Sequence, residues 1–128
     1  MSTLNQEESF ILLGLKFLIM ETEDNLKNGL SSQIKYRKYK LERTKKIQND
    51  IFNKKIIISF SKANTLNVLD KEINLILQGL DLLILEIEEN RENGLITKDK
   101  DRKNKIELIQ KLQKDIIDKK IFINYQEN

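Results

Sequence analysis

The triplet Asn28-Gly29-Leu30 occurs a second time as Asn93-Gly94-Leu95, and the two copies fix the register of an internal repeat. When residues 1–63 are aligned with residues 66–128 without a gap, about two in five of the aligned pairs are identical. The chain therefore reads as a tandem duplication of a unit of about 63 residues. This comparison shows which positions the two copies share.

Each copy begins with a strongly periodic apolar segment. In the second copy the apolar residues are spaced alternately four and three positions apart, which is the spacing of a coiled-coil seam. The first copy carries a weaker version of the same seam, with Glu8 and Thr22 among its members. The spacing predicts a long helix in each copy that buries one face. The seam of the second copy consists of Leu69, Ile73, Ile76, Leu80, Leu83 and Ile87.

The repeated triplet predicts the end of this helix. A glycine after a helix accepts the left-handed conformation, and the following leucine packs back on the last turn. Gly29 and Gly94 are therefore interpreted as turn residues, and Ser32 and Thr97 as N-caps of the next helices. The run Asn93-Gly94-Leu95-Ile96-Thr97 resembles the turn of short helical hairpins such as the SHOCT domain. That resemblance implies a hairpin only.

A second helix is expected in each copy, over roughly residues 33–53 and 98–118. Each is followed by a Lys pair and a run of β-prone residues, Ile56 to Phe60 and Ile121 to Tyr125. Three arrangements of these tails are open: they pair with each other, add to a partner, or extend the core. A single strand of this length is not stable alone.

These elements predict an all-α protein, namely two tandem helical hairpins packed as a four-helix, coiled-coil-like bundle. The expected division is residues 1–60 for the first hairpin, 61–67 for the linker and 68–128 for the second hairpin. A hairpin of this size buries too little apolar surface to be stable by itself. The two are therefore expected to form one compact unit or to complete their core in an oligomer.

Gly14 and Gly79 occupy matched positions inside the two first helices. A helical glycine costs about 1 kcal/mol relative to alanine. Its occurrence in both copies indicates that another backbone approaches closely. Tight packing within the chain and an interface with a partner both explain such an approach.

The composition argues against an enzyme and against a cofactor or metal site. The chain has no Cys and no His, so the usual thiol nucleophile, general base and soft metal ligands are missing. The acidic cluster Glu21, Glu23 and Asp24 recurs as Glu86, Glu88 and Glu89, but it has no His partner. We read it as a solvated face, and we expect no catalytic, cofactor-binding or metal-binding residues.

The N-terminus predicts an intracellular, cytoplasmic protein without a signal peptide. Residues 1–9 hold two glutamates and no Lys or Arg, whereas a secretory signal begins with basic residues. The apolar run from Phe10 to Met20 is interrupted by Lys16 and is too short to span a bilayer. We expect no membrane partner.

A basic run in the first copy is the strongest candidate contact surface. Residues 1–63 carry twelve Lys and Arg against seven Asp and Glu, a net charge of +5, whereas residues 64–128 carry eleven against thirteen, or −2. The run mixes cations with two tyrosines, which suits phosphates and stacked bases as well as an acidic protein. A solvated helix face is the simpler interpretation. The candidate residues are Lys35, Tyr36, Arg37, Lys38, Tyr39, Lys40, Arg43 and Lys46.

The function that fits these features is a non-enzymatic protein–protein interaction module, such as an adaptor, inhibitor or assembly subunit, that uses apolar helix faces. Homo-oligomerisation is compatible with the same faces. The alternative is nucleic-acid binding through Lys35 to Lys46. The abundance of Asn, Lys and Ile is typical of AT-rich genomes and is compatible with a phage or viral accessory protein.

Overall fold

The structure is a computed structural model that describes residues 5–28, 33–60, 68–92 and 99–126, without the side chains of 90–92, 99 and 100. The described chain is mostly helical, which confirms the all-α class, with one short sheet added. The elements in chain order are α1 (Asn5–Lys27), α2 (Ile34–Phe52), β1 (Ile56–Ser59), α3 (Asp70–Glu92), α4 (Asp99–Ile117) and β2 (Phe122–Tyr125).

The hydrophobic core lies between two central helices and two outer ones. Helix α1 packs most extensively on α3, while α2 packs on α1 and α4 packs on α3. Smaller contacts join α2 to α3 and α1 to α4, so each outer helix touches both central helices. Three residues of the predicted seam, Ile76, Leu80 and Leu83, are buried, as expected. The first seam residue differs: Leu69 precedes α3 and is 55% exposed.

The two central helices touch at the matched glycines. A Cβ atom placed on Gly14 would lie 2.6 Å from both the carbonyl carbon and the carbonyl oxygen of Gly79. The reverse contact is nearly the same, since a Cβ on Gly79 would lie 2.7 Å and 2.8 Å from the corresponding atoms of Gly14. No side chain fits between these backbones. The close approach expected from the sequence is therefore a contact within the chain.

The β-prone tails pair with each other, which selects one of the three arrangements left open by the sequence. Strands β1 and β2 form an antiparallel two-stranded sheet in which Ile58 lies opposite Ile123. The backbone N–H of Gln126 extends the ladder by donating to the oxygen of Lys55 at 2.7 Å. Ile56, Ile58, Ile121 and Ile123 are all buried, so the sheet closes part of the helical core.

The outer helices end in the same turn, and a lysine takes the left-handed position in both. Lys54 has φ of 63° and Lys119 has φ of 58°. After α2, the N–H of Lys54 donates to the oxygen of Ile51 and that of Lys55 to the oxygen of Asp50, at 3.1 and 2.8 Å. This pattern is a Schellman cap, which glycine normally completes. The turn directs the chain from each outer helix into its strand.

The repeated turn itself lies largely outside the described residues. Asn28 is described, whereas Gly29, Gly94, the proposed caps Ser32 and Thr97, and the linker 61–67 are not. The predictions made for those residues therefore stay predictions. Among the described helices, none combines the length and hydropathy needed to cross a membrane.

Candidate functional site

The cations of α2 point to several sides of the helix, and many have partners within the chain. Lys45 pairs with Glu23 of α1 at 3.6 Å, and Lys46 pairs with Asp50 at 2.8 Å. Arg37 donates to the backbone oxygen of Asn25 at 3.4 Å. These contacts connect α2 to α1 or join residues within α2. Part of the predicted basic run is therefore already paired within the protein.

The remaining part of the run faces an open groove between α2 and the start of α3, which we call the α2–α3 groove. The groove has a volume of about 740 Å³. The α2 wall of the groove is aromatic: it includes Tyr36 and Tyr39, which are 61% and 50% exposed. Of the candidate residues, the structure brings these tyrosines together with Lys40 and Arg43, whereas Lys35 and Lys38 are exposed outside the groove. The lining residues are Tyr36, Tyr39, Lys40, Arg43, Leu69, Asp70, Lys71, Glu72, Asn74, Leu75 and Gln78.

Arg43 is held in place by Tyr39, one helical turn before it. The guanidinium carbon lies 5.6 Å from the centre of the Tyr39 ring, and Nε donates to the Tyr39 hydroxyl at 3.2 Å. This hydrogen bond is the largest cause of the raised pKa of Arg43. Arg43 forms no ion pair with any described residue. The contact with Tyr39 restrains Arg43, which lines the groove, and uses neither of its two terminal nitrogens.

The inner wall of the groove contains a buried carboxylate. Glu72 is 3% exposed, and its Oε1 accepts the backbone N–H of Leu69 at 3.3 Å, which closes the first turn of α3. Its Oε2 has no hydrogen-bond partner among the described residues. The raised pKa of Lys46 is due first to its hydrogen bond to Asp50, and that of Arg43 first to its hydrogen bond to Tyr39; Glu72 is a smaller cause in both. Cations predominate on the solvent-facing side of the groove, and Glu72 is the buried acidic residue of its lining.

Strand β2 contributes a tyrosine to the same region. The Lys46 ammonium lies 5.7 Å from the centre of the Tyr125 ring. Burial, followed by the negative charge of Glu72, raises the pKa of the Tyr125 phenol. The hydrogen bond to Asp50 raises the pKa of Lys46. Residues from α2, α3 and β2 thus form one electrostatic cluster next to the groove.

The corresponding face on the other side of the molecule, between α4 and α1, has a different chemistry. There Tyr36, Tyr39 and Arg43 are replaced at the matched positions by Asp101, Asn104 and Leu108. The cavity on that side includes Glu7, Phe10 and Leu108 and measures only about 190 Å³. The aromatic and cationic side chains that α2 contributes to the groove are therefore not repeated at the matched positions of α4.

The repeated acidic residues lie partly together, in a groove between the C-terminal halves of α1 and α3. Glu21 and Asp24 face Glu86 and Glu89 across Phe17, Leu82 and Leu85. Within the described part of the chain, no group of three or more Asp, Glu, His or Cys side chains is placed to hold a metal ion.

The basic run of the sequence predicts the α2 side of the groove, and no sequence pattern indicates the α3 side. The apolar spacing predicts Leu69 as a seam residue, and the sequence carries no separate signal for Glu72 or Leu75. A comparison of the two copies contains a usable signal, since Tyr36, Tyr39 and Arg43 lie on one helix face and all differ in chemistry from their matched residues.

The chain matches no family model, no curated protein and no solved structure.

Proposed function

We propose that the chain is a non-enzymatic protein–protein interaction module whose contact surface is the α2–α3 groove. The observation that carries the proposal is a pair of exposed tyrosines, Tyr36 and Tyr39, beside Leu69 in an open groove. At least half of the surface of each tyrosine is accessible to solvent. Aromatic residues and arginine are enriched in the energetically important parts of protein interfaces. A groove between two helices suits an amphipathic helix or an extended segment of a partner.

The architecture in this proposal is a tandem duplication of a helical hairpin, with residues 1–60 and 68–128 packed as one coiled-coil-like unit across the linker 61–67. The supporting contacts are Gly14 with Gly79 and Ile58 with Ile123, because both pairs are separated by the interval that aligns the two halves. A shared scaffold with one divergent groove explains why the copies agree in their core and differ at Tyr36, Tyr39 and Arg43. The cytoplasmic location expected from the sequence remains part of this proposal.

Nucleic-acid binding is the second candidate, and the exposure of Lys35 and Lys38 next to Tyr36 favours it. Two features weigh against it. Arg37, Lys45 and Lys46 are engaged within the protein, so fewer cations remain for phosphates. The groove is also lined by Leu69 and Leu75, an apolar surface that a phosphate backbone would leave uncovered.

The proposal is tested by quantitative affinity capture from the cells in which the protein occurs, with and without nuclease treatment. The groove variant combines Tyr36→Asp, Tyr39→Asn and Arg43→Leu, which installs the residues that the second half carries at these positions. Phe52→Asn is the matched control, because it removes an exposed apolar residue at the other end of α2. We expect a protein that is captured by the wild type and the control, is resistant to nuclease, and is lost with the groove variant. Capture that depends on nucleic acid would support the second candidate instead.

A homo-oligomer is a further prediction from the sequence. Leu13 and Met20 are exposed two helical turns apart on α1, and light scattering of the purified protein would show whether they drive self-association. A monomer at all concentrations would contradict this prediction without affecting the groove.

A further inference from the structure

We infer that the α2–α3 groove recognises an acidic, apolar peptide segment, in which a leucine or phenylalanine enters the groove and an aspartate or glutamate binds Arg43 and Lys40. This inference rests on the proposed function and specifies the chemistry of the partner. Three properties of the groove carry it: the balance of its exposed charges, the fixed position of Arg43, and the apolar residues beneath the charges.

The accessible charges of the groove are mainly positive. Lys40, Arg43 and Lys71 face solvent in whole or in part, whereas Asp70 is the one exposed acid in the groove, because Glu72 is buried. Lys40 and Lys71 form no ion pair with any described residue. Helix α2 as a whole carries seven Lys and Arg against two Asp and Glu. A partner with carboxylates therefore complements the groove, and a basic partner does not.

Arg43 is prepared to bind a carboxylate. Its Nε is used by the Tyr39 hydroxyl at 3.2 Å, and its guanidinium lies over the Tyr39 ring. The two terminal nitrogens remain as a planar fork, which matches the two oxygens of a carboxylate. Because Tyr39 already restricts the side chain, less conformational entropy is lost when a carboxylate binds.

The groove is also apolar, which distinguishes a peptide from a bare anion. Tyr36, Leu69 and Leu75 provide the apolar lining, and Leu69 is more than half exposed in the absence of a partner. A leucine or phenylalanine of the partner would cover this surface, at about 25 cal/mol for each Å² removed from water. A side chain three or four residues away in a helical partner would then reach the cations at the rim.

The test is a titration of the isotope-labelled full chain, followed by the amide and side-chain signals in NMR spectra. The first probe is a synthetic helical peptide of about four turns that alternates a Leu/Phe face with Glu residues. The second replaces every Glu with Gln, which keeps the shape and removes the charge. The third is an oligothymidine of similar length. Arg43→Leu, Arg43→Lys and the control Lys105→Leu, which removes a cation at the position matching Lys40, are titrated in parallel.

We expect the acidic peptide to shift the signals of α2 around Tyr36–Arg43 and of α3 around Leu69–Gln78, and to bind about tenfold more tightly than the Gln peptide at low salt. Arg43→Leu should abolish this preference, Arg43→Lys should retain part of it because lysine lacks the planar fork, and Lys105→Leu should retain all of it. The spectrum of each variant shows directly whether it is folded.

The outcomes that overturn the inference are distinct from those that overturn the proposed function. Equal binding of the acidic and Gln peptides at the groove would refute acidic recognition and leave a protein-binding groove. Tighter binding of the oligothymidine at the same residues would refute both. If no probe shifts the groove signals, the inference fails, and the proposed function is decided by the capture experiment with the groove variant.

Discussion

Gly14 and Gly79 contact each other backbone to backbone. A Cβ atom on either residue would clash with the backbone of the other. The distances from a Cβ on either residue to the carbonyl group of its partner lie between 2.6 and 2.8 Å. The atoms that would be struck belong to the backbone, so no side-chain rotation can relieve the clash. The contact of α1 with α3 therefore depends on the absence of a side chain at two positions.

Gly14→Ala is expected to destabilise the protein by about 2 kcal/mol. Alanine gains about 1 kcal/mol of helix propensity over glycine, but overpacking a close helix contact typically costs about 1–3 kcal/mol or more, and a backbone clash lies at the upper end. Gly79→Ala should behave alike. Urea unfolding followed by circular dichroism measures the change. Lys16→Ala, on an exposed position of the same helix, serves as the control and should have little effect.

The double variant of Gly14 and Gly79 extends this test. Once one alanine has separated the helices, the second finds more space, so its additional cost should be smaller than the cost of the first. Strict additivity of the two changes would indicate that the helices are not in direct contact at these residues.

Lys119→Gly is expected to stabilise the protein by about 1 kcal/mol, because a non-glycine residue in the left-handed conformation costs about that much. Lys54→Gly should gain less, since it also removes the 2.6 Å ion pair of Lys54 with Glu8. Lys120→Gly is the control: Lys120 does not have a positive φ, so glycine there only adds freedom to the unfolded chain. A loss of stability in Lys119→Gly equal to that in Lys120→Gly would contradict the assigned turn.

Tyr125 should make stability depend on alkaline pH. Its pKa in the folded protein is raised by burial and by Glu72, so the unfolded chain loses the phenol proton first. The contribution of Tyr125 is therefore complete below its ordinary pKa of 10.0 and is lost as the pH rises through the folded value. The free energy of unfolding of the wild type should fall more steeply above that pH than that of Tyr125→Phe. Because Lys46 contacts the Tyr125 ring, the difference between the two proteins reports the phenol together with its interaction with Lys46. Equal slopes would refute this role.

The sequence is sufficient to predict the four helices, because their apolar residues recur at helical spacing and similar patterns occur in residues 1–63 and 66–128. It also predicted a close backbone approach at Gly14 and Gly79. It did not determine the pairing of Ile58 with Ile123, since a run of apolar β-prone residues carries no information about its partner strand. The left-handed Lys54 and Lys119 were missed as well, because lysine has no intrinsic preference for that conformation.

The groove was predicted only in part, for a geometric reason. The basic run contains Tyr36, Tyr39, Lys40 and Arg43. However, α2 carries cations on several sides, and its sequence does not determine which side faces α3. That choice is made by the packing of α2 on α1 and by the burial of Ile47 and Ile51, which orient the rest of the helix. The α3 wall, with Leu69 and Glu72, comes from a distant part of the chain.

The most direct test of the proposed interaction surface is photo-crosslinking in intact cells from a single residue. A photoreactive phenylalanine analogue replaces Tyr36 in the groove, and in a second protein it replaces Asp101, the matched residue on α4. We predict a discrete protein adduct from position 36 that disappears when Arg43→Leu is added, and no such adduct from position 101. Adducts of equal yield from both positions, or an adduct from position 36 only to nucleic acid, would contradict it.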